Sequence, residues 1–466
     1  MAYKSVNPYN GKVLRTFDDM TDEQLEAAVA RAAKTYEENW SLKDISYRGS
    51  VLKRAAAILR ERLDEFARPI TLEMGKLWGE SQDEVRLSAD ILEYYANHGE
   101  EFLAPKTLNV QEGEAVVESE PIGIIFGVEP WNFPYYQLAR VVGPSFILGN
   151  VMMVKHASNV PQCAEAFEKL FQQAGAPAGV YTNLFATKDQ VARLISDPRI
   201  KAVALTGSEG AGSVVASQAG KSLKKSTMEL GGSDAFIVLE DADLDRAVSW
   251  AVWGRMNNTG QCCVASKRFI VVDKVADEFL KRFKASLQLL KPGDPMNPET
   301  TLSPLSSEGA LRDLLKQVEG AVSNGAKLVL GGKRLDRPGA FIEAGILTDI
   351  KPSNPAYYQE FFGPVALFFR VKDESEAIAL ANDSPFGLGG SVFTEDVERG
   401  KHVARKIHTG MVFINQATWT APELPFGGIK NSGYGRELSE LGLQEFVNKK
   451  LIRVSEALPA AEFPVA

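Results

Sequence analysis

Residues 121–158 read PIGIIFGVEPWNFPYYQLARVVGPSFILGNVMMVKHAS. The run from Ile122 to Val128 is apolar and of strand length, as for a strand buried on both faces. Residues 134–148 carry helical periodicity, and Pro134 suits a first helical position. Residues 150–155 are again an apolar strand. The alternation continues outward with helices at 160–174, 188–195 and 209–220. Strands follow at 180–185, 201–205, 225–229 and 235–239. Apolar strands alternating with helices imply an α/β fold with a parallel sheet covered on both faces. Such sheets bind ligands at the carboxyl ends of their strands. The tips to inspect are therefore 129–132, 155–158, 206–212 and 229–232.

Residues 240–430 repeat the pattern and predict a second α/β domain. Its helices are expected near 242–257, 274–290, 308–324, 374–382 and 396–407. Its strands are expected near 267–273, 327–330, 366–371, 388–393 and 411–415. Ahead of the first sheet, residues 1–20 predict two short strands about an Asn10-Gly11 turn. Helices at 22–40, 45–75 and 78–103 follow, the first capped by Thr21. Residues 108–120 predict a hairpin standing off the core, whose edges need a partner. The strand at 448–455, after a Gly-rich loop and helix at 426–446, is a candidate. The boundaries are 1–107 with 122–230, then 231–429, with 108–121 and 430–466 as bridging or oligomerisation segments.

The chain has 466 residues, too many for one ordinary core. Its 45% hydrophobic and 24% charged residues mark a globular class. A net charge of -8 with no basic block argues against nucleic acid and anionic membrane as partners. No window approaches the ~18 apolar residues of a membrane span. The start resembles no signal peptide. Cys163, Cys262 and Cys263 form no disulfide framework, which fits a reducing cytoplasm. The histidines His98, His156, His402 and His408 lack ligand spacing, so no metal is expected.

Two cysteines adjoin in Asn258-Thr259-Gly260-Gln261-Cys262-Cys263-Val264-Ala265-Ser266. A free Cys is usually a small buried hydrophobe. Here Gly and amide residues precede the pair, as in a loop, and backbone N–H groups there can hold a thiol as the reactive thiolate. At the strand tips, Asn132 in Pro130-Trp131-Asn132-Phe133-Pro134 offers an amide to a developing oxyanion, or belongs to an ordinary turn. Lys155 in Lys155-His156-Ala157-Ser158 reaches ribose or phosphate, or is solvated. Thr206-Gly207-Ser208-Glu209-Gly210-Ala211-Gly212 lets the backbone approach a pyrophosphate at a helix start, although it is not G-x-G-x-x-G. Glu229, beside Gly231 and Gly232, has room to activate a water.

Together these motifs, with 360–365, Asn415 and 425–437, resemble the aldehyde dehydrogenase superfamily over nearly the whole chain. The pattern is most similar to bacterial members that oxidise succinic semialdehyde with NAD or NADP. The resemblance implies a Rossmann-like cofactor domain, an α/β catalytic domain and a small β element. It also implies a homodimer or homotetramer in which a C-terminal strand joins a neighbour's sheet. It makes Cys263 the nucleophile through the Gly-Gln-x-Cys register, Glu229 the general base, and Asn132 the oxyanion donor together with the Cys263 amide. Trp131, Lys155, Ser158, Gly207, Ser208, Gly212, Leu230, Glu360 and Phe362 fall at cofactor positions. NAD-preferring members often carry Glu where Ser158 stands, so NADP is expected to be accepted at least as well as NAD. The water-activating Glu argues for hydrolysis rather than acyl transfer to another acceptor.

The substrate expected from this resemblance is a small aldehyde with a distal carboxylate. Asn132, Tyr136 and Arg140 are spaced four apart where a helix is predicted to begin. On a helix Arg140 would drift about 80° from Asn132 and lie about 12 Å along the axis, near enough to fork a carboxylate. Arg140 also matches a carboxylate-binding Arg of those members. The alternative is a structural ion pair. A second Arg of some members corresponds here to Asn257. Tyr136, Asn415, Trp419 and Thr420 complete the expected substrate pocket.

Overall fold

The computed structural model describes residues 3–455. Its first sheet has six strands in the order Gly433–Tyr434, Lys225–Glu229, Ile200–Thr206, Ile124–Glu129, Val151–His156, Tyr181–Asn183. All neighbours are parallel except Gly433–Tyr434, which runs antiparallel to Lys225–Glu229. Ile124, Ile125 and Phe126 are buried because helices cover both faces. After Ile124–Glu129 the chain moves outward to Val151–His156 and Tyr181–Asn183. It then returns to Ile200–Thr206 on the other side of the first strand. That reversal opens a crevice beyond the ends of Ile124–Glu129 and Ile200–Thr206, the place where open α/β sheets bind ligands.

The second sheet has seven strands: Lys327–Leu330, Gly345–Thr348, Val365–Val371, Ser266–Val272, Asp234–Val238, Gly390–Phe393 and Phe413–Ile414. Lys327–Leu330 pairs antiparallel and the others parallel. Glu229 ends a strand of the first sheet, and Asp234 begins one of the second. Cys263 lies just before the strand Ser266–Val272. The carboxyl ends of one sheet are thereby tied to the amino ends of the other by a short link.

Val447–Val454, Glu114–Pro121 and Lys106–Thr107 form a third, three-stranded sheet. The predicted pairing of the last strand with the 108–120 region is therefore present, within one chain. Leu451, Ile452 and Val454 are exposed on it.

Several expectations are corrected. The helix expected at 45–75 is two, Ile45–Glu61 and Leu63–Met74, because Arg62 leaves helical geometry (φ -115°, ψ 37°). The helix expected from Pro134 is Tyr136–Leu148. The Glu84 carboxylate accepts the amides of Tyr135 at 2.8 Å and Tyr136 at 3.3 Å, so a side chain from another helix satisfies that start. Asn132 thus lies in the preceding loop, and the helical spacing drawn from it to Arg140 does not apply. The strand expected at 388–393 is Gly390–Phe393 in the second sheet, and the preceding Phe386–Gly387 is a separate strand paired with Ile429–Lys430. The 430–466 segment contributes to both the first and the third sheet. Gly433–Tyr434 returns to the first sheet, Val447–Val454 builds the third, and 456–466 lie outside the described residues.

Candidate active site

The loop carrying Cys263 follows the helix Leu244–Met256 and turns through three residues with positive φ, Asn258, Thr259 and Gly260. A Cβ at Gly260 would lie 2.5 Å from the Gly363 carbonyl oxygen, so only glycine fits there. Asn258 stabilises the turn by donating from Nδ2 to the carbonyls of Asn132, at 2.8 Å, and Gln261, at 3.1 Å. The Asn132 Nδ2 also donates to Gln261 O at 3.2 Å, which leaves its second hydrogen for another acceptor. The loops bearing Asn132 and Cys263 are thus stitched together.

His156 holds the Asn132 loop from behind. Its Nε2 lies 2.9 Å from Pro134 O, and Ala157 N donates to its Nδ1 at 2.9 Å. Burial pushes this imidazole down to about 4, so the ring is neutral near pH 7.

Two cavities meet at Cys263. One, of about 400 Å³, is lined by Trp131, Asn132, Ser208, Leu230, Glu360 and Phe362, among others. The other offers only about 20 Å³, bounded by Phe133, Tyr136, Cys262, Trp419, Thr420 and Phe426 among others. That is room for about one water, so a larger molecule enters only with side-chain movement. A larger hollow of about 690 Å³ is lined by Asp245, Trp253 and Arg282 among others, and by no residue of the Cys263 loop.

The larger cavity has the features of a dinucleotide cradle. Gly207 and Ser208 lie on its wall, and Ser208 caps the helix Glu209–Lys221. A Cβ at Gly212 would lie 2.6 Å from Leu230, and one at Gly231 would lie 2.4 Å from the Glu360 carboxylate. A side chain at either position would have to displace Leu230 or Glu360 from the cavity wall, whereas glycine leaves the backbone free to approach closely. Trp131 meets Phe362 edge-on, with ring centroids 5.8 Å apart. Lys155 and Ser158 stand at the tip of the next strand, outside the lining of this cavity. Lys155 lies 5.5 Å from the Tyr3 ring, and the Ser158 carbonyl accepts from Lys4 N at 3.1 Å.

Glu229 ends its strand fully buried, and neither carboxyl oxygen has a hydrogen-bond partner. A Cβ at Gly427 would lie 2.7 Å from one of these oxygens. Burial, with Glu437 nearby, raises this carboxyl well above the usual range, although Arg140 and Arg436 oppose the shift. The Cys263 thiol is shifted in the same direction. The neighbouring Cys262 sulfur and burial push it well up, against Arg140 and Lys267.

Two expected substrate residues are placed elsewhere. The Arg140 side chain is fully buried, its Nε 2.6 Å from Glu437 Oε2, an ion pair by distance without hydrogen-bond angles. Its other nitrogens face Gln137, Thr206 and the Tyr136 hydroxyl, and its guanidinium stacks on Tyr136 at 4.7 Å. It backs the pocket wall without lining it. Asn415 has φ 58° and spends its amide on the backbone of Thr394, at 3.1 and 2.9 Å. It pins a strand end, away from both cavities. Tyr136, Trp419 and Thr420 do come together, and the Tyr136 hydroxyl donates to Thr420 Oγ1 at 2.9 Å.

Lys267 and the wall residue Gln137 stand outside the residues singled out from the sequence, and Glu437 falls there only within the matched stretch 425–437. Lys267 carried a usable signal, since a lysine inside an apolar strand needs a buried partner. Its ammonium lies 3.0 Å from Glu360 Oε1.

The fold, the thiol between two cavities and the buried carboxyl define a class. The chain belongs to the aldehyde dehydrogenase family, whose sequence pattern matches residues 1–452. It is 48% identical over 462 residues to a succinate-semialdehyde dehydrogenase [NADP(+)] of Deinococcus radiodurans, covering 99% of this chain and 96% of that one. It is 45% identical over 455 residues to a probable succinate-semialdehyde dehydrogenase [NADP(+)] of Synechocystis, covering 98% and 100%. The solved succinic semialdehyde dehydrogenase of Streptococcus pyogenes, in complex with NADP+, matches with a TM-score of 0.96 and 50% identity, covering 98% and 100%.

Proposed function

We propose that the chain oxidises succinic semialdehyde to succinate with NADP, through a covalent thioester on Cys263. The observation that carries this reading is the position of Cys263, shared by a cofactor-sized cavity and a small aromatic one. The names of the relatives support the substrate and the cofactor. The dinucleotide supplies the hydride acceptor. Cys263, once ionised, adds to the aldehyde carbon to give a thiohemiacetal. Its oxyanion is stabilised by the Asn132 amide and the Cys263 backbone N–H. Loss of hydride leaves the acyl group on sulfur. Glu229, after giving up its own proton, takes one from the attacking water, and succinate leaves as the thiolate re-forms.

Recognition of the distal carboxylate falls to Tyr136 and Thr420, with Arg140 adding charge from behind the wall. Tyr136→Phe should lower kcat/KM for succinic semialdehyde by about 1.5–3 kcal/mol, the worth of a hydrogen bond to a charged group. Uncharged butyraldehyde should be little affected. Arg140→Ala should instead impair both substrates and lower Tm, because it leaves Glu437 buried without its cation. Initial rates on the two aldehydes check this. A selective loss in Arg140→Ala with none in Tyr136→Phe would return carboxylate recognition to Arg140.

For the cofactor, Ser158 is small and neutral with Lys155 nearby, and leaves room for a 2′-phosphate. Ser158→Glu should shift the kcat/KM ratio towards NAD by at least about tenfold through like-charge repulsion. Wild type that strongly prefers NAD over NADP would contradict this assignment. We also propose the three-part division of the chain, a homo-oligomer using the exposed strand Val447–Val454, and a cytoplasmic location. Analytical ultracentrifugation tests the assembly.

A further inference from the structure

Lys267 is the second residue of the strand Ser266–Val272, and its side chain is fully buried. Burying an ammonium is costly unless its protons are paired. All three have acceptors here. Lys267 Nζ donates to Cys262 O at 2.7 Å and to Cys263 O at 2.7 Å, and lies 3.0 Å from Glu360 Oε1. Glu360 faces the larger cavity, and its Oε1 also accepts Gly232 N at 3.0 Å. One ammonium thus joins the nucleophile's own peptide to a carboxylate on the cofactor-side wall.

Cys263 must ionise in a half-buried setting, and a fixed cation nearby offsets the cost. The other charged groups around it are committed. Arg140 pairs with Glu437. Arg255 donates to Gly260 O at 2.7 Å. Arg268 donates to the carbonyls of Ser233, Leu380 and Ala381. The carboxyls Asp234 and Glu229 are buried, and Asp234 accepts Gly389 N at 3.1 Å. Among these cations, Lys267 alone hydrogen-bonds the peptide of the nucleophile.

We propose that Lys267 is the positioning residue whose charge favours the Cys263 thiolate, and that Glu360, by sharing the ammonium, sets how much of that charge the sulfur feels. This rests on Cys263 being the nucleophile. Lys267 acts through the loop and its field, without touching the reacting atoms.

Iodoacetamide labelling of the full chain tests the proposal without aldehyde or cofactor. The thiolate displaces iodide to form a thioether, and peptide mass mapping reads the extent at Cys263 across a pH series. Lys267→Met should slow labelling near neutral pH by about tenfold and move the profile to higher pH, as for a shift of about one unit. Glu360→Gln keeps Lys267 but removes its counter-charge, so it should speed labelling and move the profile to lower pH. Labelling of Lys267→Met at the wild-type rate or faster would overturn the proposal, as would labelling of Glu360→Gln at the wild-type rate or slower. A purely structural Lys267 would lower Tm without moving the profile. Should Lys267→Met fail to fold, Glu360→Gln decides alone. If wild type labels at Cys262 and never at Cys263, the nucleophile assignment fails instead.

Discussion

Cys263→Ala should abolish aldehyde oxidation, with kcat/KM falling by at least about 10⁴-fold, because the remaining thiol, Cys262, borders the small cavity and does not reach the cofactor-side one. Cys262→Ala should cost no more than a few-fold. The two sulfurs are adjacent in sequence but differently placed. Cys262 is buried on the wall of the small cavity, whereas Cys263 is half-buried and borders both cavities. NADPH formation at saturating aldehyde distinguishes them. An active Cys263→Ala beside an inactive Cys262→Ala would reverse the assignment.

Glu229→Gln should separate the two halves of the reaction. Hydride transfer needs the thiolate and the oxyanion donors, which this substitution leaves in place. Rapid mixing should therefore show a first turnover of near wild-type amplitude. Steady-state turnover should fall by about 10²–10⁴-fold, the usual contribution of a positioned general base. The same variant should show the energetic cost of the site. The carboxyl of Glu229 holds its proton in the fold to a pH well above its ordinary value. Above the usual carboxylate range the unfolded chain has released that proton while the folded chain still binds it. The native state then binds more protons, and its stability falls as pH rises through that window. Gln has nothing to ionise. Glu229→Gln should therefore unfold at a higher temperature than wild type at pH 8, with the difference shrinking towards pH 4. Scanning calorimetry at both pH values checks this. A variant less stable than wild type at pH 8 would mean that the carboxyl is a net stabiliser.

The first sheet was legible because its strands are continuous apolar runs separated by amphipathic helices. The second was legible for the same reason, apart from Gly345–Thr348. What escaped prediction is held by contacts distant in sequence. Gly433–Tyr434 is a two-residue strand recognisable only through its pairing with Lys225–Glu229. The start of the helix Tyr136–Leu148 depends on Glu84, on another helix, so local capping signals misplaced it. Arg140 and Asn415 share a feature that the sequence does not show. Position and residue type suggested ligand contact, but Glu437 and the Thr394 backbone already occupy their polar groups. The proposed trio Cys263, Glu229 and Asn132 was legible because each stands at a loop or strand end with telling neighbours. Lys267 sits inside a strand and not at such an end, and its link to Glu360 appears only once Ser266–Val272 is paired beside Val365–Val371.

The most direct test is to mix Glu229→Gln with succinic semialdehyde and NADP, quench in acid, and map the peptides by mass. One NADPH per chain should form, and the peptide carrying Cys263 should be heavier by one succinyl group, with the mass localised to that sulfur. An acyl group on Cys262, or NADPH formed in repeated turnovers with no acylated cysteine, would contradict the account.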